Sequence, residues 1–108
     1  MLMNNDVKII VSRIKLLFRR MSKTRYWLSV VNDPIDHQFN FFFFSEHQGK
    51  RTKSVPLHSI KTYQLSYLEK CIVDLKKESA LSIEYLGFYQ QRWPSDQYLI
   101  QKKRDKYE

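Results

Sequence analysis

The segment 39–45 constrains the fold more than any other part of the chain, because five of its seven residues are phenylalanine. In a β-strand, successive side chains point to opposite faces of the sheet. The odd-numbered phenylalanines then share one face, and Phe42 and Phe44 share the other. A strand that is apolar on both faces belongs in the middle of a sheet covered on both sides. We therefore expect a sheet whose two faces are covered by helices, by another sheet or by a second subunit.

An amphipathic helix is predicted within residues 1–22, with Asn5 or Asp6 as its N-cap. Its apolar stripe consists of Val7, Ile10, Val11, Ile14, Leu17, Phe18 and Met21. The opposite side is basic but also carries Ile9 and Leu16, which a purely solvated face does not need. These two residues therefore predict a second packing partner, such as another copy of the chain. Because Met21 resembles a translation start, residues 1–22 are either part of the domain or an extension, and the regular stripe favours the domain.

Two further strands are predicted around the phenylalanine strand. Residues 26–31 are aromatic and β-branched and run into the turn formers Asn32, Asp33 and Pro34, a pattern typical of a strand followed by a turn. Residues 54–57 predict a short strand that Pro56 confines to a sheet edge, because proline cannot donate a hydrogen bond to a neighbour.

The second half of the chain predicts a central helix and more strand. Ser59 is the expected N-cap of a helix from about residue 60 to 77, and an alternating segment around 81–89 predicts a strand. Residues 98–100 form either a last strand or the start of a short helix, and we favour the strand. Residues 102–108 are a charged tail.

These elements predict one α+β domain over residues 1–108, in the order α-β-β-(β)-α-β-β. We expect a mostly antiparallel sheet of four to five strands with an N-terminal amphipathic helix and one central helix. Cys71 is the sole cysteine, so no intrachain disulfide can form, which is typical of a cytoplasmic protein. No apolar run approaches the ~20 residues that span a bilayer, so we expect no transmembrane segment.

The positive charge is concentrated in two zones. The chain carries a formal net charge of +8, and its basic residues are concentrated in 1–25 and 49–64, whereas 26–48 contains only acidic charges. Such clusters favour phosphate binding, and an exposed ring among the tyrosines or Trp93 can stack on an unpaired base. The candidate nucleic-acid-binding residues are Arg13, Arg19, Arg20, Lys23, Arg25, Lys50, Arg51, Lys53 and Trp93.

Two alternatives remain open beside nucleic-acid binding. A protein-interaction or structural module, with homodimer formation as its simplest form, is favoured by Ile9, Leu16, Phe42 and Phe44, which are the candidate interface residues. A small enzyme or ligand-binding domain is the second alternative. No nucleophile elbow, phosphate-binding glycine loop or dinucleotide fingerprint is present, so we expect a non-enzymatic binding module.

Neither an acid–base pair nor a metal site is predicted from the titratable residues. Asp36 and His37 are adjacent, but turn formation accounts for the acidic residues there as well as catalysis does. His37 and His47 bracket a strand of about ten residues, which separates them by roughly 33 Å when extended. We therefore expect no metal and no cofactor.

Overall fold

A computed structural model describes residues 4–19 and 21–100 of the chain. It contains two helices and four strands in the order α-β-β-β-α-β, which confirms the predicted α+β class. The elements are α1 (Asn5–Leu17), β1 (Thr24–Asp33), β2 (Gln38–His47), β3 (Lys53–Ile60), α2 (Leu65–Glu78) and β4 (Ser82–Leu86). Neither helix in this part of the chain has the length and apolar character needed to cross a membrane.

Helix α1 buries the first four residues of the predicted stripe but is shorter than predicted, and Phe18 and Met21, which the stripe also included, follow the helix and are exposed. Its N-cap is Asn4, whose side chain accepts a hydrogen bond from the Val7 amide at 2.8 Å, one residue before the expected cap. The helix ends at Leu17 because the backbone of Phe18 is extended, and the Phe18 amide closes the last turn on Ile14. Its buried residues are Val7, Ile10, Val11 and Ile14, so α1 contributes to the core.

The four strands form one mixed sheet in the order β3-β2-β1-β4. Strand β2 pairs antiparallel with both β1 and β3, and β4 lies parallel to β1 at the far edge. The phenylalanine strand is therefore internal, as predicted, and Pro56 lies in an edge strand, also as predicted. A bulge between Phe41 and Phe42 shifts the register against β3.

The first face of the sheet carries the core. Phe39, Phe41 and Phe43 are buried there in one cluster with Leu28 and Val30 from β1 and with the buried residues of both helices. Both helices therefore lie on the same side of the sheet. Of the three expected kinds of cover, helices account for one face only within the described residues, because the apolar stripes of α1 and α2 pack against one another as well as against the strands.

We call the opposite side the second face. Its residues, which the strand registers place side by side, are Arg25, Trp27, Ser29, Val31, Asn40, Phe42, Phe44, Glu46, Glu84 and Leu86. Phe42 and Phe44 are half-buried, and Trp27 stacks on Phe44 with ring centroids 5.3 Å apart. Ser29 is fully buried there, and its hydroxyl has no hydrogen-bond partner in the described part of the chain.

Helix α2 begins later than the sequence predicts. Ile60 is the last residue of β3, where it pairs with Phe39 and is fully buried, so it serves the strand and not the helix. Ser59 lies in the same strand and donates its hydroxyl to Asn40, so its predicted role as N-cap was wrong. The residue that precedes the helix is Gln64, which makes no capping hydrogen bond through its side chain.

The chain after β4 contains no further named strand up to residue 100. Gly87 ends β4 with a φ of +82°, and an added Cβ there would lie 3.0 Å from the backbone oxygen of Asn32. Leu99 makes a single antiparallel bridge with Arg92, so the predicted strand at 98–100 is reduced to one pairing. The predicted charged tail, 102–108, lies outside the described residues.

Candidate nucleic-acid interface

The sheet topology brings the end of the first basic zone and the start of the second to one end of the molecule. Strand β1 starts there, β2 ends there and β3 starts there, because Thr24 pairs with His47 and Ser45 pairs with Lys53. We call this region the basic end and define it by six side chains. They are Arg19, Lys23, Arg25, Lys50, Arg51 and Lys53.

Four cations of the basic end are exposed and have no counter-charge within residues 4–19 and 21–100. No side-chain hydrogen bond or ion pair with any residue of 4–19 or 21–100 is made by these four, which are Lys23, Lys50, Arg51 and Lys53. Like charges that are held together without counter-charges create a positive potential, which attracts anions and costs stability through repulsion. Their side chains therefore present positive charge to solvent.

A shallow depression of about 400 Å³ lies at the centre of this region, between the start of β1 and the β2–β3 hairpin. Its lining residues are Lys23, Thr24, Arg25, Glu46, His47, Gln48, Gly49 and Lys50. The Gln48 amide donates to the carbonyl of Lys23 at 2.9 Å, which joins the hairpin to the chain before β1. Gly49 has a φ of +81°, a left-handed conformation that favours glycine.

Thr24 and His47 are two polar residues of the depression that sequence reasoning did not identify. The Thr24 hydroxyl donates to the Ser22 carbonyl at 3.3 Å, and its oxygen lies 2.6 Å from Nδ1 of His47, with which it forms a hydrogen bond. The two residues are 23 positions apart, so only the strand pairing brings them together.

Glu46 is the acidic residue among the lining side chains, and it is paired. Its carboxylate forms an ion pair with Arg25 on the neighbouring strand and accepts a hydrogen bond from Thr52 at 3.4 Å. The Arg25 side chain is 65% exposed and that of Glu46 is 36% exposed, so solvent screens this pair. The positive charge of the depression is thereby reduced but not cancelled.

The end of α1 adds a further cation. The Arg19 guanidinium donates to the carbonyls of Leu16 and Phe18, at 2.9 and 3.1 Å, and the Tyr26 hydroxyl donates to the carbonyl of Arg19. The rings of Phe18 and Tyr26 lie 4.7 Å apart. These contacts fix the helix end against the first strand.

Three predicted nucleic-acid candidates are not placed at the basic end. Arg13 donates to the carbonyl of Leu57, so its guanidinium is engaged between α1 and β3. Trp93 is half-buried and packs edge-on against Tyr85, with ring centroids 5.4 Å apart. Arg20 lies outside the described residues.

The predicted interface residues fall on two different surfaces. Leu16 is 72% exposed and Ile9 is half-buried, both on α1 away from its buried stripe. Phe42 and Phe44 lie on the second face of the sheet. The structure therefore does not join the four residues into one patch.

A polar cluster inside the fold was also missed by sequence reasoning. Asp6 of α1 contacts Nε2 of His58 on β3 and the hydroxyl of Tyr67 on α2, both at 2.6 Å. Burial and the hydrogen bond to Asp6 raise the pKa of Tyr67 above its ordinary value. Burial likewise raises the pKa of the Cys71 thiol, which keeps it protonated and a poor nucleophile. The cluster connects α1, β3 and α2, and these contacts are typical of a structural role.

The hairpin between β1 and β2 is built by turn contacts. The Asp33 carboxylate accepts hydrogen bonds from the amides of Ile35 and Asp36, each at 3.1 Å. The Asp36 amide, and then the Asn40 and Ile35 contacts, lower the pKa of Asp33 against a smaller opposing effect of desolvation. Asp36 and His37 are both exposed. No group of three potential metal ligands occurs among the residues that the structure describes.

Comparison of the chain with protein-family models, with curated protein sequences and with solved structures gave no significant match in any of the three. Among the residues that the structure describes, the exposed cations of the basic end, which have no counter-charge there, point most directly to a ligand class.

Proposed function

We propose that this protein is a small, non-enzymatic, cytoplasmic module that binds nucleic acid through the phosphate backbone at its basic end. The observation that carries the proposal is the convergence of cations from the segment before β1 and from the β2–β3 hairpin around one depression. Four of these cations have no counter-charge within the described residues: Lys23, Lys50, Arg51 and Lys53. In the proposed complex, the phosphates of the nucleic acid supply the negative charge that balances them.

The physical basis of binding is the release of counterions. A nucleic acid is surrounded by condensed cations, and each protein cation that replaces them gains entropy from their release. Three to five phosphate contacts at the basic end give a slope of about −3 to −5 in a plot of log affinity against log salt.

The contacts at the basic end support binding by charge and shape, and not by base sequence. Lysine and arginine contacts to phosphate position a nucleic acid but carry no direct sequence information. Trp93, Tyr63 and Tyr67 are engaged elsewhere in the fold, through contacts with Tyr85, Asn32 and Asp6. We therefore expect similar affinities for different sequences of equal length and form.

The direct test is the binding of fluorescein-labelled single-stranded and double-stranded DNA and RNA, followed by anisotropy across a salt series. We expect affinity to rise as salt falls, because the contacts are ionic. Polyglutamate serves as a control, since it is a polyanion without phosphate. Near-zero affinity for every nucleic acid at low salt would refute the proposal, and equal binding of polyglutamate would reduce it to unspecific charge attraction.

A protein-interaction function is the second candidate, and one observation favours it. The second face of the sheet carries Phe42 and Phe44, which are half-buried although they lie outside the core cluster. Apolar rings in such a position are typical of a surface that another molecule covers. This function does not exclude the first, because the basic end and the centre of the second face are different parts of the surface.

A further inference from the structure

The paired residues of the second face are arranged so that a two-fold axis can place two copies of this face against each other. Its two central strands, β1 and β2, are ten residues long and pair in register, so that Arg25 lies beside Glu46 and Trp27 beside Phe44. The next row pairs Ser29 with Phe42. A two-fold axis drawn parallel to the strands and between them exchanges β1 with β2 and leaves every row in place.

We infer that the second face is the interface of a symmetric homodimer in which two sheets pack face to face about this axis. Closed two-fold dimers use the same patch on both subunits, so if one residue contacts a second residue of the other copy, the reciprocal contact also forms. Here Trp27 of one copy lies over Phe44 of the other, and Ser29 lies over Phe42. The aromatic rings of both copies then form one shared layer between the sheets.

Charge complementarity identifies the occupant as a second copy. The axis places Arg25 of each copy over Glu46 of the other, so the ion pair within each chain becomes an alternating square of four charges. It also places β4 over β3 of the second copy, so the two Glu84 carboxylates do not meet. A face with one dominant charge sign would instead favour a partner of the opposite sign.

The size of the face predicts a weak, reversible dimer. The four strands contain 10, 10, 8 and 5 residues, and at ~3.3 Å per residue and ~4.8 Å spacing they give a footprint of about 500 Å² per copy. Standard interfaces bury about 800 Å² on each partner, so this dimer falls at the low end. We expect a dissociation constant in roughly the micromolar range.

The same axis places both basic ends on the same side of the dimer, because rotation about an axis parallel to the strands preserves strand direction. Their mutual repulsion weakens association at low salt. Salt screens the Arg25–Glu46 attraction across the axis as well, but four cations per copy have no counter-charge among the described residues and outnumber these two pairs. Dimerisation is therefore expected to strengthen as salt rises, opposite to nucleic-acid binding. The opposite signs keep the two proposals distinguishable, and either can fail alone.

Sedimentation velocity of the full chain over a concentration series, without nucleic acid and at moderate salt, tests the inference. We expect a monomer–dimer equilibrium in the wild type and a monomer at every concentration in Phe44→Glu, because the substitution buries a charge in the shared layer. Leu16→Glu is the matched control: it adds the same charge at an exposed site on α1 and should leave the equilibrium unchanged. A wild type that stays monomeric throughout, or a Phe44→Glu dimer, would overturn the inference.

A charge swap tests the interface without altering an apolar residue. Glu46→Lys is expected to weaken the dimer at least tenfold, since it sets like charges against one another across the axis. The double variant Arg25→Glu, Glu46→Lys restores opposite charges in both chains and should recover most of the loss. A double variant as weak as the single one, with both folded by circular dichroism, would contradict the proposed pairing.

Dilution experiments on the wild type provide a readout that needs no disruptive variant. The indole signal of Trp27 in a ¹H–¹⁵N spectrum should shift on dilution, whereas that of Trp93, on the helix side beside Tyr85, should not. The variant Trp93→Phe assigns the two signals. A shift confined to Trp93 would place the interface elsewhere.

Discussion

The two ends of the sheet differ in how their polar groups are satisfied. We call the end of the sheet with the β1–β2 hairpin the hairpin end. There Asp33 accepts hydrogen bonds from two backbone amides, and Lys61 donates to Gln38 at 2.7 Å, so the polar groups are paired within the fold. At the basic end, Lys50 and Arg51 extend from a hairpin without any such contact to the described residues.

This difference separates a structural cluster from a candidate binding surface. A turn whose side chains bond its own backbone is explained by folding alone. A group of like charges without counter-charges among the described residues lowers stability, and this supports the proposal that an anionic ligand binds at this end. The predictions below test this difference with substitutions at one end and matched controls elsewhere in the fold.

Charge reversal at the basic end has the largest expected effect. In the triple variant Lys23→Glu, Lys50→Glu, Arg51→Glu, nucleic-acid affinity should fall by about 100-fold or more, and the salt slope should fall by about three. Fluorescence anisotropy at fixed salt measures both quantities.

The matched control reverses three exposed lysines elsewhere: Lys8→Glu, Lys61→Glu, Lys70→Glu. This variant has the same net charge as the first, so it tests location independently of total charge. We expect a loss of less than tenfold. Equal losses in the two variants would mean that net charge, and not the basic end, governs binding.

Removal of the inner polar cluster should affect stability without changing the charges of the basic end. Asp6→Ala leaves His58 and Tyr67 without their shared acceptor, which should lower the free energy of unfolding by about 2 kcal/mol. Urea denaturation measures the change. The free energy of unfolding of Asp36→Ala, in the exposed hairpin, should stay within about 0.5 kcal/mol of the wild type. A similar loss in both variants would argue against a stabilising role of the cluster.

The two glycines compare the ends directly, because both have a positive φ. Gly87→Ala should cost about 2–3 kcal/mol, since its Cβ would crowd the Asn32 backbone in addition to adopting a left-handed conformation. Gly49→Ala, at the basic end, should cost only about 1 kcal/mol, because no atom lies within 4 Å of the added Cβ. Thermal or urea unfolding that ranks them in the reverse order would contradict the described packing.

The smallest expected effect is the acid sensitivity of the hairpin end. Because the pKa of Asp33 is lower in the folded chain than in the unfolded one, its contribution to stability is present above the unfolded value, about 3.9, and is lost as pH falls through the folded value. Asp33→Asn should therefore lose less stability than the wild type between pH 5 and pH 2 on this basis. If the unfolding free energies of wild type and Asp33→Asn change in parallel with pH, Asp33 does not cause the acid sensitivity.

The sequence predicts the outline of this fold because several local signals agree. Alternation of the phenylalanines locates β2 inside the sheet, the stripe of α1 identifies its buried side, and Pro56 marks an edge. The start of α2 was misplaced because Ile60 fits both a helix stripe and a strand, and only tertiary pairing with Phe39 decides between them.

The candidate site is less predictable from the sequence than the fold. Charge clusters are visible along the chain, but their convergence depends on strand order, which also excludes Arg13 and Trp93 from the basic end. The contact between Thr24 and His47 has no local signature. Contacts between residues far apart in the chain thus decide which of the cations form one surface.

The most direct test of the account is a ¹H–¹⁵N titration of the labelled protein with a short oligonucleotide at low salt. We expect the largest shifts at the amides of residues 23–25 and 47–51, which surround the depression. The amides of the hairpin end, residues 34–38, should stay unchanged. Shifts concentrated at 34–38, or no shifts at either end, would contradict the assignment of phosphate binding to the basic end.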